Sequence, residues 1–200
     1  MIMNIIFDLG GVVVTWKPEN LVQGFTDDLK IQDILLSKLI RHPDWIELDR
    51  GSILLSEAVK RCTDRTGLSP EYITRFMESV PLSLIPITET IELIHSLKNK
   101  GHNLFCLSNM HAASISYLEQ TYSFLNLFDG VIISCRINMV KPDPKIFKHL
   151  LKTYHLEPAR TVFIDDSPAN IEAAENIGIK TILFKDAGQC LKALESIGCI

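Results

Sequence analysis

A chain of 200 residues with 46% hydrophobic and 22% charged residues has the composition of one globular domain, or of one domain that carries an insertion. Its net charge of −4 and the lack of a clear basic patch argue against a nucleic-acid partner, which would have to be held by phosphate neutralisation. No apolar run approaches the length that spans a bilayer, and the N-terminus does not resemble a secretory signal, so no membrane association is expected.

The cysteines indicate the redox environment. The five thiols are widely spaced, and no Cys-x-x-Cys pair occurs. An odd number of scattered cysteines is typical of a protein in a reducing compartment rather than of a disulfide framework or a zinc site. We therefore expect a cytoplasmic protein, and the sequence is compatible with either a monomer or a homodimer.

The first predicted element is a buried strand over residues 4–7, which leads directly to Asp8 and to the pair Gly10 and Gly11. A short apolar run of this kind is typical of a strand buried on both faces. An acidic residue at the carboxyl end of such a strand lies at the edge where open α/β sheets bind ligands. The glycines allow the backbone to approach a ligand closely. Taken alone, the stretch is equally compatible with a strand end and a solvated turn.

Residues 17–81 are predicted to form a small helical bundle. Apolar residues recur at helical spacing through this range, and Ser69-Pro70 is a helix start signal. The proline-containing segment 80–86 is predicted to be a linker that returns the chain to the rest of the fold. We expect the bundle to be a cap inserted into a core that consists of residues 1–16 and 82–200.

From residue 86 onward, helices alternate with short apolar strands. Those strands are predicted at residues 103–107, 130–134, 160–164 and 180–184. This alternation is typical of a parallel sheet with helices on both faces. Right-handed crossovers place the carboxyl ends of all the strands at one edge. The predicted fold class is therefore α/β, a Rossmann-like parallel sheet with a helical-bundle cap inserted after the first strand.

Polar residues follow four of the five predicted strands. They are Asp8, Ser108 with Asn109, Lys141, and Asp165 with Asp166. Each alone is compatible with a turn or a helix cap, but their joint occurrence at strand ends predicts one site. Three aspartates close together require a cation, and oxygen ligands favour Mg²⁺. The lysine and the serine would hold a phosphate, and Asp8 could attack phosphorus as a nucleophile.

These motifs resemble those of the haloacid dehalogenase-like (HAD) hydrolase superfamily, and the resemblance covers the whole chain. It is carried by residues 7–12, Leu107-Ser108-Asn109, Lys141-Pro142-Asp143-Pro144 and residues 163–171. Within the predicted cap, residues 45–51 resemble a stretch of the branch that contains bacterial α-glucose-1-phosphate phosphatase and the phosphatase domain of soluble epoxide hydrolase.

The resemblance implies a Mg²⁺-dependent phosphomonoester hydrolase that forms an aspartyl-phosphate and acts on a small phosphorylated metabolite, such as a sugar phosphate. It implies that Asp8, the nucleophile, and Lys141 are catalytic. The implied phosphate- or substrate-binding residues are Gly10, Gly11, Arg50, Ser108, Asn109 and Lys141. The implied metal site consists of Asp8, the Gly10 carbonyl, Asp165 as a direct ligand, and Asp166, which would orient a metal-bound water or Lys141.

Gly10 departs from the pattern of the phosphatases in this superfamily. They usually carry a second Asp at this position, which protonates the leaving group, and such general acid–base catalysis is worth about 10²–10⁴ in rate. A cap residue, a metal-linked water or an acidic leaving group could compensate for its absence. The candidates on the cap are His42, Glu47 and Asp49.

Two alternatives to a phosphatase remain open at the level of the sequence. A catalytically weak or inactive descendant that binds a ligand or a protein is supported by Gly10 alone. A 2-haloacid dehalogenase also lacks the second Asp, but it needs no metal, and the Asp165-Asp166 pair argues against it.

Overall fold

The computed structural model describes residues 2–199 and contains a five-stranded parallel sheet with strand order β3-β2-β1-β4-β5. The strands are β1 (Asn4–Phe7), β2 (Asn103–Ser108), β3 (Gly130–Ile133), β4 (Thr161–Asp165) and β5 (Lys180–Leu183). Each of the predicted strands is present, and the α/β class is confirmed.

Helices account for most of the remaining described residues. They are α1 (Pro18–Phe25), α2 (Leu29–Leu35), α3 (Pro43–Arg50), α4 (Leu55–Thr66), α5 (Pro70–Leu82), α6 (Thr88–Asn99), α7 (Ala112–Thr121), α8 (Ser134–Ile137), α9 (Pro144–Thr153), α10 (Pro168–Glu175) and α11 (Ala187–Ser196). A π-helical turn, Leu36–Ile40, follows α2, and 3₁₀ turns occur at Phe124–Leu127 and Pro158–Arg160.

The two faces of the sheet are covered by different helices. On β1, Ile5 and Phe7 pack into a cluster with side chains of α6, α7 and α11, whereas Ile6 points the other way and packs with side chains of α9 and α10. Successive side chains of a strand alternate between faces, so a strand covered on both sides must be apolar throughout. The end of β1 therefore delivers Asp8 to a position that is enclosed by protein.

Helices α1–α5 lie between β1 and β2 in the chain, and we call them the helical segment (residues 18–82). They bury a hydrophobic cluster of their own, in which Leu39 and Phe76 are almost completely inaccessible. The prediction of a helical insertion at this place in the sequence agrees with these elements. The division into a core and a cap at residues 17 and 81 stays a prediction.

The predicted linker over residues 80–86 begins too early. Helix α5 continues to Leu82, with Pro81 in its last turn. Val80 is buried and extends the apolar face of α5 that includes Phe76. Packing of this face outweighs the local cost of a proline near the end of the helix.

Candidate active site

The carboxyl ends of three strands meet at one edge of the sheet. β1, β2 and β4 place Asp8, Ser108 and Asp165 there, and Lys141 joins them from the loop between α8 and α9. All four residues are at most 8% exposed. The Lys141 ammonium bridges two carboxylates, because its Nζ lies 2.9 Å from Asp8 Oδ1 and 2.7 Å from Asp165 Oδ2.

Asp8 is held in one orientation. Its Oδ1 accepts a hydrogen bond from the backbone N–H of Leu9 at 2.7 Å, in addition to the contact with Lys141. Burial raises the pKa of Asp8 to about 7; the charge of Lys141 lowers this pKa, and the charge of Asp165 raises it. Burial would lower the pKa of Lys141, but the two aspartates outweigh burial and raise it. The lysine therefore stays charged and favours the ionised, nucleophilic form of Asp8.

Both oxygens of Asp165 are occupied. Oδ1 accepts hydrogen bonds from the Ser167 backbone N–H at 2.8 Å and from the Asn170 amide at 3.0 Å. Oδ2 accepts from Lys141 at 2.7 Å and from the same Asn170 amide at 3.1 Å. The fully buried carboxylate thus acts as a fixed anchor for the Lys141 ammonium.

The neighbouring Asp166 faces solvent at the same edge. One carboxylate oxygen from each of Asp8, Asp165 and Asp166 lies within 4.8 Å of the other two. Gly11 has a φ of +77°, and a Cβ built on it would lie 2.2 Å from Asp166 Oδ2, so only glycine allows this approach. Burial, followed by the charge of Asp165, raises the pKa of Asp166. A cluster of hard oxygen donors fits a divalent ion such as Mg²⁺.

Asn109 fixes the loop that carries Lys141. Its Nδ2 donates to the Lys141 carbonyl, and its Oδ1 accepts from the Lys141 backbone N–H, both at 2.9 Å. Sequence analysis assigned Asn109 to phosphate or substrate binding. The structure shows that both ends of its amide are engaged by the lysine backbone, so its first effect is to position Lys141.

A cavity of about 250 Å³ opens at this edge. Its polar lining comes from Asp8, Asp49, Asn109, His111, Ser114 and Asp166, together with Gly10. Its apolar lining comes from Trp16, Ile40, Trp45, Val80, Leu84 and Met110. The cavity lies between the charged edge of the sheet and a mixed wall, to which the helical segment contributes Ile40, Trp45, Asp49 and Val80.

Helix α3 contributes two of the lining residues. Its start is capped by His42, whose ring Nδ1 accepts from the Asp44 N–H at 3.1 Å. Trp45 and Asp49 are four residues apart and share one face of the helix. Trp45 stacks on Trp16 with ring centroids 5.7 Å apart. The same face of α3 therefore brings an aromatic ring and a carboxyl group to the cavity.

Ser134 ties α3 to the sheet. Its hydroxyl donates to the Asp49 carbonyl, and its oxygen accepts from the Met110 backbone N–H at 2.9 Å. Gly51, which ends α3 with a φ of +80°, sits against the start of α8; a Cβ at this position would lie 2.6 Å from the Cys135 carbonyl oxygen. Sequence analysis extended the third strand to residue 134, but the strand ends at Ile133, because Ser134 begins α8 and turns its hydroxyl to α3.

The other predicted cap residues do not line the cavity. Arg50 Nη1 lies 3.6 Å from Glu47 Oε1, and Glu47 also accepts from the Ser52 hydroxyl. Arg50 thus lies beside a neighbouring acid on the same helix, and the structure does not place it at the cavity where the resemblance implied a substrate-binding role. His42 caps α3, because its Nδ1 accepts from the Asp44 backbone N–H. Among the three candidates for the missing proton donor, only Asp49 borders the cavity.

Asp49 is buried, and its environment favours the neutral carboxyl group. Burial raises its pKa to about 7; hydrogen bonding to the His111 backbone lowers this pKa, the charge of Asp8 raises it, and the Trp45 side chain lowers it. Burial also lowers the pKa of His111 to about 4, so the imidazole is neutral at pH 7. The His111 side chain, at the start of α7, therefore carries no positive charge that would stabilise the ionised form of Asp49.

Several residues at or beside the cavity were not predicted from the sequence. Trp16, Met110, His111 and Ser114 line the cavity, and Ser134 holds the backbone of Asp49. Ser134 could have been found by the rule that identified Asp8, because it follows the third strand at the same edge of the sheet. The others belong to turns and helix starts, where the sequence carries no signal for which side chains face the site.

Comparison with known proteins defines the class. The chain matches the model of the haloacid dehalogenase-like hydrolase family over residues 5–184. It therefore belongs to this family, and it is an enzyme of the hydrolase class. The four motifs identified in the sequence all lie within, or at the boundary of, the elements that build the charged edge.

Two curated relatives align with nearly the whole chain. A sesquiterpene phosphatase from Aspergillus oryzae is 28% identical over 195 residues, which cover 97% of this chain and 96% of the relative. A D-ribitol-5-phosphate phosphatase from Bacteroides thetaiotaomicron is 28% identical over 194 residues, which cover 90% and 91% of the two chains. Both relatives are phosphatases, and their substrates are chemically very different.

One solved structure with a similar fold contains magnesium. A HAD-family enzyme from Bacteroides thetaiotaomicron, in complex with magnesium and inorganic phosphate, superposes with a TM-score of 0.75 at 26% identity, covering 92% of this chain and 95% of that one. Together with the cluster of Asp8, Asp165 and Asp166, this complex supports magnesium as the cofactor. Among the described residues, no helix is long and apolar enough to cross a membrane.

Proposed function

We propose that the protein is a Mg²⁺-dependent phosphomonoester hydrolase that acts through an aspartyl-phosphate on Asp8 and uses a small phosphorylated metabolite as substrate. One observation carries the proposal: a buried carboxylate at the end of β1 is oriented by Lys141 and by the Leu9 N–H, next to two further aspartates. The family and the phosphatase names of both relatives support it.

In this mechanism the carboxylate of Asp8 attacks phosphorus, and the bond to the leaving oxygen breaks. The phosphoryl group is then carried by Asp8 until water cleaves the acyl phosphate and releases inorganic phosphate. The Lys141 ammonium and the Ser108 hydroxyl stabilise the charge on the phosphoryl oxygens. When it is bound, Mg²⁺ supplies positive charge that reduces the repulsion between the aspartates and the phosphate.

We propose different roles for the two adjacent acids, Asp165 and Asp166. We assign the metal to Asp8, the Gly10 carbonyl and Asp166, with Asp165 as the anchor of Lys141. Four hydrogen bonds already occupy the oxygens of Asp165, whereas Asp166 faces solvent and packs against Gly11. This assignment exchanges the roles that the family resemblance suggested for the two carboxylates.

The cavity favours a leaving alcohol with an apolar body. Trp16, Trp45, Val80 and Leu84 offer hydrocarbon and aromatic surface to the part of the substrate beyond the phosphate. The relative from Aspergillus oryzae, which is named as a sesquiterpene phosphatase, is consistent with such a substrate. A second candidate is a sugar or polyol phosphate, because Asp49 and other polar groups also line the cavity and the second relative is named for D-ribitol 5-phosphate.

The substrate class can be tested by comparing kcat/KM for an isoprenoid monophosphate and for ribitol 5-phosphate. We expect the isoprenoid substrate to be preferred, and Trp45→Ala to reduce that preference. A preference for the polyol that survives Trp45→Ala would favour the second candidate.

Hydrolysis of p-nitrophenyl phosphate tests the activity itself. We expect turnover with Mg²⁺, none after chelation by EDTA, and none for Asp8→Asn. Asp64→Asn, which removes an exposed carboxylate on α4, is the matched control and should retain full activity. A folded, Mg²⁺-binding protein without turnover would favour the ligand- or protein-binding alternative, and chloride release from a 2-haloacid without metal would favour the dehalogenase.

A further inference from the structure

We propose that Asp49 is the general acid–base of this enzyme, replacing the aspartate that is absent at Gly10. The inference rests on the proposed phosphatase function. It assigns the proton transfer to a residue of the helical segment rather than to the loop that carries the nucleophile.

The position of Asp49 supports this assignment. Its side chain is 8% exposed and lines the same cavity as Asp8, Gly10 and Asp166. His42 and Glu47, the other acid–base candidates on α3, do not line the cavity and have partners outside it. A proton donor must reach the leaving oxygen directly or through one water. Of the three candidates on the helical segment, only Asp49 borders the cavity that Asp8 also lines.

The backbone around Asp49 is fixed. Its carbonyl accepts from Ser134, which is itself held by the Met110 N–H, and Gly51 rests on Cys135. These contacts connect α3 to the ends of β2 and β3, next to the strand that carries the nucleophile. The carboxyl group is thus placed by the sheet, as precise proton transfer requires.

The environment of Asp49 suits a group that donates a proton near neutral pH. Burial and the charge of Asp8 favour the neutral acid. His111, which directly precedes α7, is uncharged, and burial raises the pKa of the Cys135 thiol on α8. Among the lining residues of the cavity that the structure describes, no lysine or arginine faces it. Asp49 therefore starts the reaction as the acid rather than as a permanent carboxylate.

The proton balance of the two steps is complete. In the first step Asp8 bonds to phosphorus, the bond from phosphorus to the leaving oxygen breaks, and that oxygen takes the proton of Asp49. In the second step a water attacks the phosphoryl group on Asp8, and the Asp49 carboxylate removes a proton from this water. Inorganic phosphate leaves, and both aspartates return to their initial states.

Leaving-group dependence tests the first step. p-Nitrophenolate leaves without protonation, whereas the alkoxide of hexyl phosphate requires it. For Asp49→Asn we expect kcat/KM to fall about 10²-fold or more with hexyl phosphate, and less than about threefold with p-nitrophenyl phosphate. Glu47→Gln, on the same helix but outside the cavity, is the matched control and should leave both values unchanged.

The second step provides an independent readout. Without a base, hydrolysis of the phosphoenzyme becomes slow, so Asp49→Asn should show a burst of p-nitrophenol that is equimolar with the enzyme, followed by a reduced steady-state rate. The burst also reports that the variant is folded and that its nucleophile works.

An aspartate introduced at Gly10 should replace the proton donor that Asp49→Asn removes. A Cβ at this position would meet Trp16 at no less than 3.5 Å, which is ordinary contact, so an aspartate can be introduced there. We expect Gly10→Asp to restore hydrolysis of hexyl phosphate in the Asp49→Asn background by about tenfold or more.

The outcomes separate this inference from the proposed function. If the wild type does not hydrolyse p-nitrophenyl phosphate, the phosphatase proposal fails. If the wild type is active but Asp49→Asn reduces kcat/KM for both substrates equally, or for neither, the assignment of Asp49 is wrong and the phosphatase proposal stands.

Discussion

The two sides of the cavity are built in different ways. On the sheet side, Asp8, Lys141 and Asp165 are buried charges held by hydrogen bonds and ion pairs with fixed partners. On the side of the helical segment, Trp45 and Val80 contribute apolar surface, and Asp49 is the one acid that this segment adds to the cavity lining. In our proposal, the first side performs the chemistry at phosphorus, and the second side determines which alcohol carries the phosphate and how that alcohol is protonated.

This contrast has an energetic basis. Buried charges tolerate almost no change, because removing one partner leaves the other charge unpaired in a medium of low polarity. Apolar walls tolerate exchange between hydrophobic residues of similar size at a modest cost. This division is consistent with the names of the two relatives, a sesquiterpene phosphatase and a D-ribitol-5-phosphate phosphatase.

The largest effect is expected on the charged side. Lys141→Met removes the cation between Asp8 and Asp165, so it should cost about 3–5 kcal/mol in the free energy of unfolding. The phosphoryl oxygens also lose their cation, and kcat should fall about 10²–10³-fold or more. Urea denaturation and hydrolysis of p-nitrophenyl phosphate measure the two effects. Lys145→Met, on the exposed start of α9, should change neither, and an equal response of the two variants would contradict the account.

The next largest effect is expected for Asp49, the acid that the helical segment contributes to the cavity lining. The pKa of Asp49 is about 7 in the folded protein, against an ordinary value of 3.8. The folded state holds this proton more tightly, so the contribution of Asp49 to stability falls as the pH rises from about 4 to 7. Above pH 7 the cost of the buried charge reaches about 4 kcal/mol.

Asp49→Asn should remove this cost. We expect the gain in stability relative to the wild type to be larger at pH 8 than at pH 5, while hydrolysis of alkyl phosphates falls. Asp8, His111 and Cys135 titrate in both proteins, so the difference between the two denaturation curves reports Asp49 together with its charge coupling to Asp8 and Cys135. A difference that does not depend on pH would show that Asp49 is ionised throughout.

A smaller effect separates the two acids of the charged edge. If Asp166 is the metal ligand, Asp166→Asn should weaken Mg²⁺ binding about 10- to 100-fold, and excess Mg²⁺ should recover much of the activity. Asp165→Asn should lose activity that Mg²⁺ does not recover, because Lys141 is no longer anchored. Isothermal titration calorimetry measures Mg²⁺ binding by each variant, and assays at increasing Mg²⁺ concentration measure how much activity is recovered. The reverse pattern would show that Asp165, rather than Asp166, is the metal ligand.

The smallest effect tests the contact between Gly51 and Cys135, which joins the helical segment to the sheet side of the cavity. Gly51→Ala and Gly67→Ala both place an alanine at a φ above +70°, at an estimated cost of about 1–2 kcal/mol. Only at Gly51 does the Cβ also meet a neighbour, the Cys135 carbonyl oxygen, which adds about 1–3 kcal/mol. We expect lower thermal stability and lower alkyl phosphate hydrolysis for Gly51→Ala than for Gly67→Ala. Equal behaviour would mean that α3 does not depend on this contact.

The charged edge was predictable from the sequence because one rule locates it. Parallel strands end at the same edge, so polar residues that follow apolar runs converge whatever the details of packing. Asp8, Ser108, Lys141 and Asp165 were found in this way. The partners of each side chain could not be predicted from the sequence. Asp165 and Asp166 are adjacent, and only the fold shows that Asp165 turns inward to Lys141 whereas Asp166 turns to solvent.

The opposite wall was much less predictable. Helical spacing indicates which side of a helix is apolar, but not what that side covers. Val80 was therefore placed in a linker, although it is buried in α5 and lines the cavity. Asp49 could not be distinguished from Glu47 by sequence, since the choice depends on the rotation of α3 that Ser134 fixes.

The most direct test of the central claim is to trap the phosphoenzyme. The enzyme is quenched during turnover of p-nitrophenyl phosphate with Mg²⁺, reduced with borohydride, and mapped by peptide mass spectrometry. The account predicts that the aspartate at position 8 is converted to homoserine, and that no conversion occurs without substrate or in Asp8→Asn. Steady turnover with no modification at Asp8, or undiminished turnover by Asp8→Asn, would contradict it.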